Sequence, residues 1–262
     1  MPYDPRQRKR TAGISRLTGV VVIRHLFLAS VLVGLLSGCS SPADKIDLAE
    51  LGGEETVPIR ILSLGDSYTI GESVDSTDRW PVQLADSLRQ RGISAAEPVI
   101  VARTGWTTDE LAAGIRQADL QGSFDLVTLL IGVNNQYRGR QVSEYQEQFR
   151  LLLQQAIELA GGRPQRVLVV SIPDWGVMPF AQGLDREKIG AEIDMFNDIN
   201  RQETLAAGAR YIDITPDSRR AAREPELAAS DGLHPSGEMY ASWVKVILPQ
   251  ALAALEGNDL DG

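Results

Sequence analysis

Residues 59–68 read Ile-Arg-Ile-Leu-Ser-Leu-Gly-Asp-Ser-Tyr. The first six are apolar apart from Arg60 and Ser63, and the run stops at Gly65. That pattern predicts a strand feeding a tight turn. The same pattern recurs along the chain. Residues 98–102, 126–131, 166–171 and 211–214 are four more short apolar runs. The run at 126–131 is continuous apart from Thr128, as in a strand buried on both faces. Between the runs lie helical segments. One covers 80–90, with Pro81 at its start and Gly92 beyond its end. Another opens on the capping box Thr107-Thr108-Asp109-Glu110. A third is expected to be capped at Ser143, with Tyr145, Phe149, Leu152, Leu153, Ala156 and Ala160 at 3.6-residue spacing and Gly161 at its close. Helices are also expected over 186–207 and 237–255. Strands alternating with helices predict a parallel sheet between helical layers, with ligands at the carboxyl ends of the strands. No internal repeat or composition break divides residues 58–256. Residues 215–230 are polar and read as a surface connection, with a lid as the alternative.

The chain has 262 residues, 43% hydrophobic and 23% charged, a globular composition. Residues 1–38 carry six Arg/Lys and one acidic residue; the rest holds 20 basic and 34 acidic residues, a net of −14. So acidic a body would repel phosphates and argues against nucleic-acid binding. One cysteine, Cys39, leaves no intramolecular disulfide and no cysteine-cluster metal site. The two histidines, His25 and His234, are too few for a multi-histidine zinc centre.

The basic leader precedes an uncharged run, residues 26–36, too short for a membrane span but suited to the apolar core of an export signal. It ends in Leu36-Ser37-Gly38-Cys39, which resembles the lipobox of bacterial lipoproteins. The resemblance implies that residues 1–38 are a lipoprotein signal peptide and that Cys39 is lipidated and becomes the mature N-terminus. Ser40 after it points to the outer membrane, periplasmic side. Residues 39–57 read as a flexible, acidic tether, and 257–262 as a tail.

Four loops that follow predicted strands carry reactive residues. Gly65-Asp66-Ser67-Tyr68 offers a hydroxyl at a turn with free backbone amides. Alone it is a common turn sequence. Arg103-Thr104-Gly105-Trp106 brings backbone close to a ligand. Gly132-Val133-Asn134-Asn135 presents a side-chain amide at a strand end. Asp231-Gly232-Leu233-His234-Pro235 spaces an acid and an imidazole three residues apart, so the acid can fix the tautomer of the ring.

Together the four loops resemble the SGNH hydrolases, also called GDSL esterases/lipases, whose serine, glycine, asparagine and Asp-x-x-His blocks come in this order. The similarity spans roughly residues 59–245. It implies an α/β fold, a three-layer flavodoxin-like α/β/α domain with a five-stranded parallel sheet. It implies Ser67 as nucleophile, His234 as general base and Asp231 as its orienting partner. The oxyanion hole would be the amides of Ser67 and Gly105 with the Asn134 side chain. Two positions depart from the family pattern. Tyr68 stands where the serine block usually has leucine, and Asn135 where the asparagine block usually has aspartate. No metal and no organic cofactor is needed for this chemistry.

The implied reaction is acyl transfer from a small, carbohydrate-linked or lipid ester to water. Trp106, Tyr137 and Trp175 are candidates for the substrate pocket, with Arg103, Arg138, Met178 and Phe180 nearby in the loops. Three alternatives stay open: transfer to an alcohol acceptor on the same fold, a non-catalytic binding lipoprotein, and a metal hydrolase built on Asp66, Asp231 and His234.

Overall fold

In the computed structural model, residues 57–257 are described. The leader, Cys39 and almost all of the 39–57 tether fall outside the described residues.

The five apolar runs form five strands: β1 (Ile61–Gly65), β2 (Val99–Ala102), β3 (Leu126–Leu130), β4 (Val167–Val170) and β5 (Arg210–Ile212). They pair in the order β2-β1-β3-β4-β5, all parallel. β1, β3 and β4 are buried along their whole length, as expected of strands covered on both faces. β1 begins two residues later than its apolar run, because Ile59 bridges to Ala95 and the Arg60 amide donates to Asp125.

Among the described residues the α-helices are α1 (Ser67–Ile70), α2 (Trp80–Arg89), α3 (Thr108–Gln117), α4 (Val133–Tyr137), α5 (Val142–Leu159), α6 (Arg186–Ala206), α7 (Thr215–Ser218) and α8 (Gly237–Glu256). α2 and α8 pack together, with α8 also lying against β3, β4 and β5. α3, α5 and α6 form a second group, with α5 on β3 and α6 on β5. Trp80, Leu84, Trp243 and Ile247 fill the first layer, and Leu111, Tyr145, Phe149 and Ile193 the second.

The capping box at α3 forms as expected, the Thr107 amide donating to Glu110. The cap expected at Ser143 does not. α5 already starts at Val142 after an extended Gln141, so Ser143 sits inside the first turn. Residues 215–230 are not a free lid. They fold into α7 and two 3-10 turns that bury Ser218, Ala221 and Leu227, and Arg219 pairs with Asp174 at 2.9 Å and Asp194 at 2.8 Å.

The strand order places the site. From β1 the chain moves outward to β2, then returns to the other side of β1 as β3. The connections leaving β1 and β3 therefore diverge, and a crevice opens at their carboxyl ends. Gly65 and Leu130 are register partners at that edge.

Candidate active site

β1 ends on Gly65 because the space is already taken. A Cβ there would lie 2.5 Å from the Leu130 carbonyl oxygen and 2.2 Å from Thr69 Oγ1. The chain then turns through Asp66, whose carboxylate accepts from the Tyr68 amide at 3.0 Å and caps α1. Ser67 is thereby the first residue of α1 and is 5% exposed. Its own amide has no acceptor among the described residues. Asp66 is fully buried and its Oδ2 has no partner. Burial pushes its carboxyl up to about 7, against the pull of hydrogen bonds from the Tyr68 amide and its own amide.

Asp231 sits in the loop before α8 and is saturated with donors. Its Oδ1 accepts from the amides of Leu233 and His234, each at 2.9 Å. Its Oδ2 meets His234 Nδ1 at 2.6 Å and accepts from the Ser73 hydroxyl at 2.6 Å. Partial burial pushes this carboxyl up. The bonds from Ser73, His234 and the two amides outweigh it and hold the group well below the ordinary carboxylate range. The imidazole is largely buried, and the Tyr68 ring meets it edge-on at 5.7 Å between centroids.

Gly105 lies in the turn after β2 with φ +87°, closed by the Trp106 amide donating to Arg103 at 3.2 Å. Its amide has no acceptor among the described residues. The segment after β3 enters α4 through Gly132, at φ +128°, where a Cβ would come within 2.4 Å of Tyr145 Oη. This close passage sets Asn134 at the crevice. Its Nδ2 donates to the Trp106 carbonyl at 3.0 Å, leaving a second N–H for a ligand. Asn135, which stands where the family pattern usually has aspartate, does not line the cleft. Its Oδ1 accepts from the Thr108 amide at 3.1 Å and its Nδ2 donates to Thr108 Oγ1 at 2.8 Å, joining α4 to the start of α3.

Ser67, Gly105, Asn134 and His234 line one cleft of about 190 Å³. The Ser67 hydroxyl and the imidazole share this cleft without a hydrogen bond to each other. The remaining walls are mostly apolar: Val133, Tyr137, Trp175, Phe180 and Leu233, with Thr104 and Tyr68 at the edges. Trp175 Nε1 donates to Gln136 at 2.9 Å, and Gln136 donates to Glu192 of α6 at 2.7 Å, so the indole is held from behind. Tyr137 and Phe180 flank it at 5.5 and 6.3 Å.

Of the pocket candidates, Tyr137 and Trp175 reach the cleft and Trp106 does not. The Trp106 ring packs over Gly114, the gap in α3 into which a Cβ would intrude at 2.2 Å. It contributes its carbonyl alone. Met178 is fully buried away from the cleft. Asp66 does not join Asp231 and His234, and no group of three or more possible metal-ligating side chains converges among the described residues. The sequence reading missed Ser73, Gln136 and Leu233. Ser73 lies in no motif, Leu233 is one of the two unspecified positions between Asp231 and His234, and Gln136 is one polar residue among several in the short helix α4.

A family model described as the GDSL-like lipase/acylhydrolase family matches residues 63–241. No curated protein sequence matches the chain. Among solved structures, TesA has a TM-score of 0.60 at 18% identity, over 75% of this chain and 99% of that one. An acetyl xylan esterase from Geobacillus stearothermophilus has a TM-score of 0.58 at 17% identity, over 74% of this chain and 94% of that one. The psychrotrophic esterase EstA from Pseudoalteromonas sp. has a TM-score of 0.55 at 18% identity, over 75% and 98%. These likenesses establish the shared fold.

The buried Asp66 makes stability depend on pH. Below about pH 4 its carboxyl is neutral in the folded and the unfolded chain. Between there and about 7 the unfolded chain releases the proton and the folded chain keeps it, so stability falls as pH rises. Above that window no further loss occurs. Asp66→Asn keeps the cap acceptor and removes the titration. Its urea midpoint should match wild type near pH 4 and exceed it at pH 8, by a stability difference on the order of a few kcal/mol. An equal effect at both values would contradict the burial argument.

Proposed function

Since the chain belongs to the GDSL-like lipase/acylhydrolase family and is an ester-hydrolysing enzyme, we propose that Ser67, His234 and Asp231 carry out its chemistry as a triad. The observation behind this reading is the Asp231–His234 pair at 2.6 Å, its ring lining the same cleft as Ser67, Gly105 and Asn134. Ser67 Oγ attacks the ester carbonyl carbon while His234 Nε2 takes its proton. The negative charge on the carbonyl oxygen is met by the amides of Ser67 and Gly105 and the free N–H of Asn134. His234 returns the proton to the departing alcohol, leaving an acyl-Ser67 ester. Water, activated by the same imidazole, then releases the acid and restores Ser67. Asp231, held ionised by four donors, keeps Nδ1 protonated and stabilises the imidazolium.

Ser67→Ala should abolish hydrolysis and covalent labelling by a fluorophosphonate while leaving the melting temperature near wild type. Asn134→Ala should lower kcat by about 10²–10³-fold. Undiminished turnover or labelling in Ser67→Ala would refute the assignment.

The cleft also favours a substrate class. Its volume of about 190 Å³ is below the roughly 300–1,000 Å³ of sites for drug-sized ligands, and its walls are apolar. We read it as a site for short acyl groups, with the exposed rings of Tyr137 and Phe180 at the mouth meeting the alcohol portion. Across p-nitrophenyl esters, kcat/KM should peak between two and six acyl carbons and fall toward twelve. A maximum at ten or more would overturn this.

We further propose a lipid anchor at Cys39 after export, on the sequence grounds of the basic leader, apolar run and lipobox-like segment. Labelling with a clickable fatty acid should occur in wild type and vanish in Cys39→Ala. Persistent labelling would defeat the anchor.

A further inference from the structure

Just beyond α1 the chain passes through two residues in the left-handed region: Gly71 at φ +70° and Ser73 at φ +66°. Ser73 is one of two non-glycine residues with positive φ among the described residues. Glycine would make this turn with less strain. What serine adds is a donor, and that donor reaches a residue 158 positions away: Ser73 Oγ donates to Asp231 Oδ2 at 2.6 Å. The same oxygen holds His234 Nδ1.

We propose that Ser73 is a positioning residue for hydrolysis, a fourth member of the chain of contacts Ser73–Asp231–His234 that fixes the acid–base pair relative to the nucleophile's own segment. This rests on the triad reading above. Oδ1 of Asp231 is bound only by amides of its own loop, which would move with it. Oδ2 is bound from outside. The Asp231 side chain is about a third exposed, so water could replace the Ser73 hydroxyl as a donor. Water would not fix the distance between the two loops. Ser73 does, because its segment is tied to the nucleophile: the Glu72 amide donates to the Ser67 carbonyl at 3.0 Å and the Gly71 amide to the same oxygen at 3.1 Å. The Glu72 carboxylate accepts from the Thr104 hydroxyl, joining this turn to the Gly105 loop as well. One seven-residue stretch, Ser67 to Ser73, thus carries the nucleophile at one end and braces the acid at the other. Elsewhere the Asp231 loop is held by the Phe180 amide donating to Gly232 at 2.9 Å, which leaves the face toward Ser67 to Ser73 and the Tyr68 ring.

The test is Ser73→Gly, which removes the hydroxyl and relieves the backbone. The melting temperature should hold or rise. With a short p-nitrophenyl ester, kcat should fall about 3- to 10-fold at unchanged KM, the loss of one hydrogen bond's worth of alignment. In an Asp231→Ala background, where the acceptor is gone, adding Ser73→Gly should change kcat/KM no further. Wild-type kcat in Ser73→Gly, with Ser67→Ala inactive, would overturn the positioning role and leave the triad standing. A loss in the double variant equal to the product of the single losses would overturn it too, because Ser73 would then act independently of Asp231. An active Ser67→Ala would remove the triad and this proposal with it.

Discussion

The structure turns on the contact between β1 and β3 at their carboxyl ends, where Gly65 lies opposite Leu130 with no room for a side chain. Everything reactive is placed by that approach. With any larger residue at 65 the strand would part from Leu130 or Thr69 would leave its position, and α1 would start elsewhere. Because the order β2-β1-β3 sends the chain away from β1 in one direction and from β3 in the other, Ser67 and Asn134 emerge on the two lips of one crevice. The sheet itself, buried on both faces through β1, β3 and β4, gives these lips a rigid base. A buried polar pair inside the sheet, Thr128 to Ser63 at 3.0 Å, again joins β1 to β3.

Two carboxyl groups flank the segment that carries Ser67, and their surroundings push them in opposite directions. Asp66 is sealed in the core with one oxygen unpartnered, and burial keeps its proton on into the neutral range. Asp231 is nearer solvent and receives four donors, which keep it ionised. Sequence proximity would favour Asp66, one residue from Ser67, as the acid that serves the imidazole. Burial reverses this: a carboxyl whose ionisation is disfavoured by its surroundings is a poor partner for a developing imidazolium, and its one bonded oxygen, Oδ1, is already committed to the Tyr68 amide. Asp66 therefore shapes the turn, and the distant aspartate is the one in contact with the ring.

The alternation of strands and helices and the four loop blocks were legible in the sequence because each is a local signal. The apolar runs, the Thr107–Glu110 box and the glycines at strand ends depend on neighbours within a few residues. What stayed hidden depends on pairings across the chain. Ser73 has no distinguishing local context; its role exists because residue 231 arrives beside it. Trp106 looked like a pocket wall from its place after β2, but the absence of a side chain at Gly114 drew the ring onto α3. The cap assigned to Ser143 failed for a different reason. Gln141 reaches the extended geometry of a cap with no side-chain bond, so the helix starts at Val142, one residue before the serine whose hydroxyl would ordinarily accept from the free amides. α4 has only five residues, too few to show a helical period.

The division of labour follows from what each part of the fold can hold still. In the proposed mechanism, the groups that would meet the reacting carbon sit at strand ends or on turns forced by close packing: Ser67 after Gly65, Asn134 after Gly132. The exposed rings at the mouth of the cleft, Tyr137 at the end of α4 and Phe180 in the segment after β4, sit where a change of side chain leaves the sheet untouched. Trp175 lies between these classes. It is on a connection, yet it is buried and tied through Gln136 to Glu192 of α6, so it sets a fixed floor against which the two exposed rings can be varied. A fold arranged this way can change the ester it accepts by changing the mouth of the cleft. Moving the site relative to the sheet would mean altering Gly65 or Gly132, and both are bound into the packing.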